Sequence, residues 1–420
     1  MKDAAGRALP LDIPEPPPLR FAPPTGGRAV LGNGLVVYLL PDPSLPAVRV
    51  TAVVRTGSVY DPAGKEGLGA LTAGMLEDGG SASWKAEEID GTLERLGASL
   101  SAGMNPEDAG VTMFALKKDL DRVLDIYADV LARPAFDAAK FEILKKSELE
   151  VIRRRNDDPA RTAAREALRR FYGADHPYGR RAEAAGVASV TPGDLKAFHS
   201  AYYRPGNVIL AVSGSYGTDD AMLARLERAF AGWRGAGAAF PAIPEPKVNA
   251  ARRVYFIQKD VPQASLMIVN RGLKRPDPAE FPFDVANDVV GAPGNMASRL
   301  WDAVRARKGL AYTVYSTFAR HNAWPGHVFA YCGTKPETYS QALEEVLRQL
   351  RLARTEPLTR EELEESKAAK INSFVFRFKT PYDLVYQRAL LEHFGFPPDY
   401  LESYVKNVSA VTRESALEAA

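Results

Sequence analysis

Residues 159–173 read PARTAAREALRRFYG, and residues 381–395 read PYDLVYQRALLEHFG. The two stretches share a proline, an Ala-Leu pair, an aromatic residue and a final glycine at a constant offset of 222 residues. Farther along, SVTPGDLKAF at 189–198 matches AVTRESALEA at 410–419 at an offset of 221. Similarity held at one spacing over such a length indicates an internal duplication. The fold is therefore predicted to consist of two similar halves.

Each half places β-branched strands before long helices. Strands are predicted at 35–40, 47–54, 255–257 and 265–269, and long helices at 137–155 and 360–374. Thr359 and Glu362 form a capping-box pattern at the start of the second of these helices. Strands segregated from helices, and repeated twice, indicate an α+β fold of two homologous α/β-sandwich halves with mostly antiparallel sheets. Two such halves joined by a linker can close on each other like a clamshell.

Composition divides the chain into segments. Residues 1–26 form a proline-rich leader, 27–231 the N-terminal domain, 232–250 a linker rich in Gly and Pro, and 251–420 the C-terminal domain. The leader is expected to be polyproline-like. It is interpreted either as a tether left by a removed export signal or as an ordered arm wrapping the domain. Because residues 418–420 fall inside a predicted helix, the C-terminal domain is expected to be truncated at its end.

Charge and hydropathy exclude several classes of partner. The net charge is +2, from 54 Lys+Arg against 52 Asp+Glu, so no long-range field attracts nucleic acid or an anionic membrane. No apolar run approaches the ~20 residues of a membrane span, and the chain is not expected to be an integral membrane protein. The single cysteine, Cys332, permits no internal disulfide and is predicted to be a buried strand thiol. The leader favours the bacterial periplasm or cell envelope, with the cytoplasm as the alternative.

Residues 66–80 read EGLGALTAGMLEDGG. This stretch resembles the insulinase/pitrilysin peptidase family, whose active members read approximately GLAHFLEHMLFKGT. The residues that match are Gly67, Leu68, Met75, Leu76 and Gly79. The resemblance extends over nearly the whole chain, including the duplication, and it implies the same two-halved clamshell.

The family's HxxEH motif falls on Ala70, Ala73 and Gly74 in this sequence. Two His at i and i+4 on one helix face bind zinc, and the Glu beside them acts as general base. A methyl group or a hydrogen can do neither. The position of the family's third ligand, a Glu, is occupied by Val151, with Glu150 next to it. The sequence therefore predicts that this chain holds no metal, and that three small residues let the helix pack closely against a sheet.

The five histidines offer no helical substitute for that motif, because no two are three, four or five residues apart. His321 and His327 flank a predicted hairpin turn and could face each other across strands, although a metal there requires further ligands. Two polar residues beside a turn is the simpler interpretation. His176 is predicted to lie in a loop, and His393 on a helix surface.

Residues 291–316 read GAPGNMASRLWDAVRARKGLAYTVYS. A helix is predicted from about Met296 to Arg307, with Gly309 as its C-terminal stop. The strand that follows is predicted to carry on one face Leu310, Tyr312, Val314 and Ser316.

This stretch is similar to the family's SRLFxEVRExxGLAYSVYS. The resemblance implies that Arg305 and Tyr312 correspond to an Arg and a Tyr that, in active members, reach across the clamp to hold the substrate and the oxyanion of the tetrahedral intermediate. Their chemistry suits that role, because Arg offers forked, permanently charged donors and a Tyr hydroxyl donates to a developing oxyanion. The alternative is a helix-end Arg attracted by the helix dipole and a core Tyr on a strand.

Two classes of function stay open. In the first, the chain is the non-catalytic subunit of a heterodimeric zinc metalloendopeptidase. The resemblance then implies an HxxEH-containing homologous partner that holds the zinc, an unfolded peptide substrate, and Arg305 and Tyr312 supplied in trans. In the second, the chain is a structural scaffold or peptide-binding protein with no role in proteolysis. A further form of this class is a metal-free chaperone that binds peptides by strand addition at an exposed sheet edge. In both, this chain holds no cofactor of its own.

Overall fold

The computed structural model describes residues 21–248 and 252–420. Most of the predicted leader and residues 249–251 of the predicted linker therefore lie outside the described residues. The strands and helices of the first half are β1 (Gly27–Val30), β2 (Val36–Pro41), β3 (Ala47–Val54), α1 (Leu68–Asp78), α2 (Ala86–Leu96), β4 (Ser99–Met104), β5 (Ala109–Leu116), α3 (Leu120–Ala132), α4 (Ala138–Arg154), α5 (Pro159–Tyr172), α6 (Ala184–Ser189), α7 (Pro192–Tyr202), β6 (Val208–Gly214) and α8 (Asp219–Ala229).

The second half repeats the part of this order that runs from β3 to α7, after a stretch without helix or strand. Its elements are β7 (Ala264–Arg271), α9 (Glu280–Gly291), a π-helical segment (Trp301–Arg307), β8 (Ala311–Ala319), β9 (His327–Thr334), α10 (Tyr339–Thr355), α11 (Arg360–Phe374), α12 (Pro381–His393), α13 (Tyr400–Ser409) and α14 (Arg413–Ala419). Short 3-10 turns lie at Ser58–Tyr60, Lys117–Asp119, Pro205–Asn207, Pro336–Thr338 and Val375–Arg377. No helix within the described ranges is long and apolar enough to cross a membrane.

Each half is built on its own mostly antiparallel sheet. The first sheet has the strand order β1-β2-β6-β3-β5-β4, in which only β2 and β6 pair in parallel. The second has the order β7-β9-β8 and is wholly antiparallel. Because the strands follow one another in the same order, β7, β8 and β9 correspond to β3, β4 and β5. The prediction of two homologous α/β halves is confirmed.

Local sequence signals place the long helices as predicted. Asp137 caps α4 by accepting hydrogen bonds from the amides of Ala139 and Lys140, each at 2.9 Å. At the start of α11, the Thr359 amide donates to Glu362 at 2.8 Å and the Glu362 amide donates to Thr359 at 3.1 Å. These bonds satisfy amides that have no partner inside the helix.

One predicted strand is wrong. Residues 255–257 lie outside every ladder in the described part of the chain, and the side chains from Val254 to Ile257 are exposed. The apolar, β-branched composition that suggests a strand there is real. A strand nevertheless requires a neighbour for its backbone hydrogen bonds, and no strand in residues 21–248 or 252–420 lies beside these residues.

The two halves exchange a pair of helices. Helix α12 of the second half packs on β2, β6 and β3 of the first sheet, where Val385 and Ala389 meet Val53 and Ala211 in a buried cluster. Its repeat α5, 222 residues earlier, belongs to the first half and packs on β7 of the second sheet. Each sheet is therefore covered partly by a helix from the other half of the chain.

Candidate functional site

Helix α1 occupies the place of the family's zinc helix, and its amino end is well capped. The Asp61 carboxylate accepts hydrogen bonds from the amides of Gly67 at 2.7 Å and Gly69 at 2.8 Å. Burial raises the pKa of Asp61 to about 6, although both amides favour the charged form. Asp61 therefore caps the start of the helix.

The three positions where zinc chemistry is expected carry no donor atom and are not arranged as one buried face. Ala73 is buried and Gly74 half-buried, whereas Ala70 is exposed. A Cβ at Gly74 would lie 2.8 Å from Cδ2 of Leu144 on α4. Helix α1 does pack against β4 and β5 of the first sheet, as predicted, but Gly74 itself faces helix α4 and Ala70 faces solvent.

The residues at the position of the family's third zinc ligand do not point to a metal site either. Val151 is exposed on α4, and Glu150 forms ion pairs with Arg153 at 2.6 Å and Arg154 at 2.7 Å. Across residues 21–248 and 252–420, no group of three or more His, Cys, Asp or Glu side chains could hold a metal ion. The residues at α1 thus do not fit the zinc that the family resemblance implies.

Four of the histidines are buried where the two halves meet: His176, His321, His327 and His393. The rings of His321 and His327 lie 5.9 Å apart, but Nδ1 of His327 is 3.0 Å from the Tyr172 hydroxyl and His321 faces Glu107. The placement of His393 on a helix surface is wrong, because the end of α12 is covered by the first half.

Glu107, in the turn between β4 and β5, joins the halves. It accepts hydrogen bonds from the Tyr178 hydroxyl at 2.7 Å, the Asn322 amide at 2.9 Å and the Arg275 guanidinium at 2.8 Å. Burial raises the pKa of this carboxyl, but hydrogen bonds from His321, Tyr178 and Asn322 outweigh burial and lower it to about 2. Sequence reasoning misses this residue, because nothing local distinguishes it from a surface turn acid.

The segment that carries Arg305 is a π-helix rather than the α-helix that was predicted. Helical structure begins at Arg299, later than the predicted Met296, because Ser298 takes the capping position and its carbonyl accepts from the Asp302 amide at 2.9 Å. Gly309 ends the segment with a left-handed φ of 62°. That stop is confirmed.

Tyr312 lies at a break in the register of β8. Ala311 pairs with Thr334 and Thr313 with Gly333, so Tyr312 is one residue extra relative to β9. Such a bulge turns the side chain away from the regular alternation, and Tyr312 is 76% exposed while Val314 and Ser316 point into the core. The prediction that Tyr312 shares one face of the strand with Leu310, Val314 and Ser316 is therefore wrong.

The π-helix and the bulge bring Arg305 and Tyr312 together. The guanidinium carbon of Arg305 lies 5.5 Å from the centre of the Tyr312 ring and 5.5 Å from that of Trp301. Its basic neighbours have acidic partners instead: Arg307 pairs with Asp302 at 2.7 Å, and Lys308 with Glu345 at 2.6 Å. Arg305 is therefore an exposed cation flanked by two aromatic rings. Trp301, which completes this arrangement, is not found by sequence reasoning.

Comparisons with known proteins agree with this architecture. Residues 36–182 match the family described as insulinase (peptidase family M16), and residues 189–370 match the peptidase M16 inactive domain. These matches span most of the sequence, and the chain belongs to the M16, or insulinase, peptidase family. The "uncharacterized zinc protease YmxG" of Bacillus subtilis is 26% identical over 342 residues, covering 81% of each chain.

Solved structures show the same clamshell fold. The peptidase M16 inactive domain from Pseudomonas fluorescens superposes with a TM-score of 0.83 at 25% identity, over 94% of this chain and 93% of that one. A protease from Helicobacter pylori has a TM-score of 0.83 at 18% identity, over 95% of this chain and 96% of that one. The prediction of a clamshell is confirmed, whereas the roles of Arg305 and Tyr312 stay predictions.

Proposed function

We propose that this chain is the non-catalytic subunit of a heterodimeric zinc metalloendopeptidase, supplying Arg305 and Tyr312 to the zinc site of a homologous HxxEH-containing partner. The observation that carries this proposal is the exposed Arg305 guanidinium between Trp301 and Tyr312. An arginine that only balanced a helix dipole would not need two aromatic neighbours. A core tyrosine would not be 76% exposed.

The arrangement suits the binding of a peptide carbonyl. The two rings attract the guanidinium by cation–π interaction, and Arg305 stays exposed, so that its N–H groups can donate to a ligand. The Tyr312 hydroxyl can donate to an oxygen that gains negative charge, an interaction worth roughly 3 kcal/mol in comparable sites. The α1 positions support the division of labour, since Ala70, Ala73 and Gly74 provide neither ligand nor base.

The test is peptidase activity and zinc content of this chain alone, and then of its mixture with an HxxEH-containing homologue from the same genome. We expect the chain alone to be zinc-free and inert and the mixture to be active. Arg305→Ala or Tyr312→Phe should then lower the kcat of the mixture roughly 10²-fold, the effect of removing one oxyanion donor. Arg307→Ala, which removes a neighbouring charge paired with Asp302, is the matched control and should change kcat less than about twofold.

Two results would contradict the proposal. Stoichiometric zinc in this chain, or activity without a partner, would show that the chain has its own catalytic site. A mixture that stays inert, or an active mixture indifferent to both substitutions, would favour the scaffold function.

A further inference from the structure

Helix α10 buries polar side chains where the corresponding helix of the first half buries apolar ones. Helices α3 and α10 each follow directly on a 3-10 turn, and their buried positions coincide at an offset of 219 residues. At this offset Glu345 corresponds to Ile126 and Gln349 to Val130, and all four side chains are buried. A buried carboxylate or amide is costly unless it is hydrogen-bonded. Glu345 and Gln349 therefore require partners that the first half does not need.

Glu345 binds the end of the helical segment that contains Arg305. Its carboxylate accepts hydrogen bonds from the Lys308 ammonium at 2.6 Å, the Arg348 guanidinium at 2.6 Å and the Gln349 amide at 2.8 Å. The hydrogen bond from Arg348, together with those from Lys308 and Gln349, lowers the pKa of Glu345 to about 2 although burial opposes this change. The carboxylate is therefore charged at neutral pH.

Lys308 lies between the two residues of the candidate site. It directly precedes Gly309, three residues after Arg305 and four before Tyr312. In the first half the corresponding position is occupied by Leu96, which directly precedes the glycine that ends α2. An ion pair from this position to the neighbouring helix is therefore possible only in the second half.

The other end of the helical segment is held in both halves. Arg299, where the helical structure begins, donates to Glu362 of α11 at 2.7 Å and 2.6 Å. At the corresponding place between α2 and α4, Glu87 pairs with Lys140 at 3.3 Å, so the two charges are reversed. An ion pair at the start of the segment is thus common to both halves, whereas the ion pair at its end accompanies the π-helix and the bulge.

Stability alone does not explain why these positions of the second half are polar. Replacing a buried ion pair by apolar residues of similar volume is often neutral or stabilising. The first half shows that the framework accepts apolar residues at all three positions, since Leu96, Ile126 and Val130 occupy them. Buried ionic groups can instead select one conformation among several. The conformation to be selected here is that of the turn that joins the π-helical segment to β8.

That turn is longer than its counterpart by one residue. The Leu310 amide donates to the Val304 carbonyl at 2.9 Å, whereas the corresponding amide of the first half reaches back one residue less. Lys308 lies within this turn, so its ion pair with Glu345 holds the turn against α10.

We propose that Glu345 is a positioning residue for Arg305 and Tyr312. It holds Lys308 against α10 and keeps the turn before β8 in its long form. The Arg305 guanidinium carbon thereby stays 5.5 Å from the centre of the Tyr312 ring. The effect of Glu345 on geometry stands by itself, whereas its effect on activity rests on the proposed function.

The main variant gives these positions the residues of the first half, by combining Lys308→Leu, Glu345→Ile and Gln349→Val. Because the three polar groups are removed together, none of them is left buried without a partner, and the melting temperature should be no lower than that of the unaltered chain. Glu345→Gln, which removes only the charge, is measured in parallel on the full chain. Glu344→Gln, a change at the exposed neighbouring acid on α10, is the matched control.

Crystal structures of the variants without a partner test the geometry. In the triple variant and the glutamine variant of Glu345, the Leu310 amide should shift from the Val304 carbonyl to the next carbonyl along the chain. The Arg305 guanidinium should then lie farther from the Tyr312 ring than the ~6 Å of a cation–π contact. The control variant should keep both contacts.

Peptidase assays of each variant with a zinc-bearing partner test the consequence for activity. Displacing groups that act in the transition state should lower kcat by about 10- to 100-fold. KM should change less than about twofold, because binding of the ground state is not altered. Lys308→Arg, which keeps the charge that Glu345 binds, should retain at least about half of the kcat.

The proposal is overturned if the triple variant and Glu345→Gln both keep the Leu310–Val304 hydrogen bond and the contact between Arg305 and Tyr312. It is also overturned if the control variant loses these contacts as well. If the contact is lost but kcat is unchanged, Glu345 still positions the two side chains, and the proposed function is contradicted instead. A mixture that is inert with the unaltered chain contradicts the proposed function alone, because the crystal structures decide the role of Glu345 without a partner.

Discussion

Two corresponding units of the molecule share one design but differ in two places. The first consists of α2, Gly97 and β4, and the second of the π-helical segment, Gly309 and β8. Gly97 and Gly309 both end a helical segment in the left-handed region, with φ of 60° and 62°. In the first unit, α2 is a regular α-helix and β4 pairs with β5 in unbroken register. In the second, the helical segment is a π-helix and β8 contains a bulge at Tyr312.

The difference shows how a repeated framework brings an Arg and a Tyr together in only one copy. The Ala98 amide bonds to the carbonyl of Leu93, whereas the Leu310 amide bonds to that of Val304, one residue farther back. Compared with the first unit, the helical turn before Gly309 therefore contains one additional residue, and strand β8 after Gly309 contains another. Such irregularities cost stability and are retained mostly where they position a functional side chain. Here they present Arg305 and Tyr312 to solvent.

The largest expected effect concerns the turns that follow β4 and β8, which meet at Glu107. Glu107→Ala removes the partner of Arg275, whose guanidinium lies 3.6 Å from the centre of the Phe394 ring. Leaving one member of a buried ion pair unpaired should lower the free energy of unfolding by about 3 kcal/mol. Urea denaturation measures this, with exposed Glu94→Ala on α2 as the control. Equal stabilities of the two variants would show that the turns are not coupled.

A somewhat smaller effect is expected from acid, because a buried histidine lies in each half. Burial lowers the pKa of both His199 and His327 to about 4, so the unfolded chain, with ordinary histidine pKa values, binds protons more readily. Stability is therefore lost as the pH falls from about 6.5 towards 4, by about 2 kcal/mol for each group. Urea midpoints across this range should depend less on pH in His199→Gln and in His327→Gln. An unchanged pH profile would contradict the burial argument.

The smallest effect distinguishes the two units directly. A Cβ at Gly97 or Gly309 meets no atom within 4 Å, so Gly97→Ala and Gly309→Ala should each cost only the backbone term of about 1 kcal/mol. We expect equal losses in urea denaturation. Only Gly309→Ala should also weaken activation of a zinc-bearing partner, because it alone adjoins Arg305 and Tyr312. Equal effects on activation would remove the distinction between the units.

Sequence predicts well those features that depend on local or repeated signals. The long helix predicted over 137–155, the capping box at Thr359 and the stop at Gly309 are determined by nearby residues, and the duplication gives the two-halved fold. The bulge at Tyr312 is not predictable in this way, because Ala311 and Tyr312 both fit an alternating strand. His393 is buried by residues distant in sequence, and residues 255–257 have strand composition without a strand neighbour in the part of the chain that the structure describes.

The exchange of α5 and α12 between the halves has a consequence for how this protein is made. The face of the first sheet that contains Val53 and Ala211 stays uncovered until α12, which begins at Pro381, has left the ribosome. Contacts so distant along the chain form slowly, because their loop-closure entropy must be overcome first. During synthesis the nascent first half therefore exposes an apolar sheet face, the kind of surface that aggregates or recruits chaperones. Neither half is expected to fold as an independent unit, and the two halves acquire their native structure together.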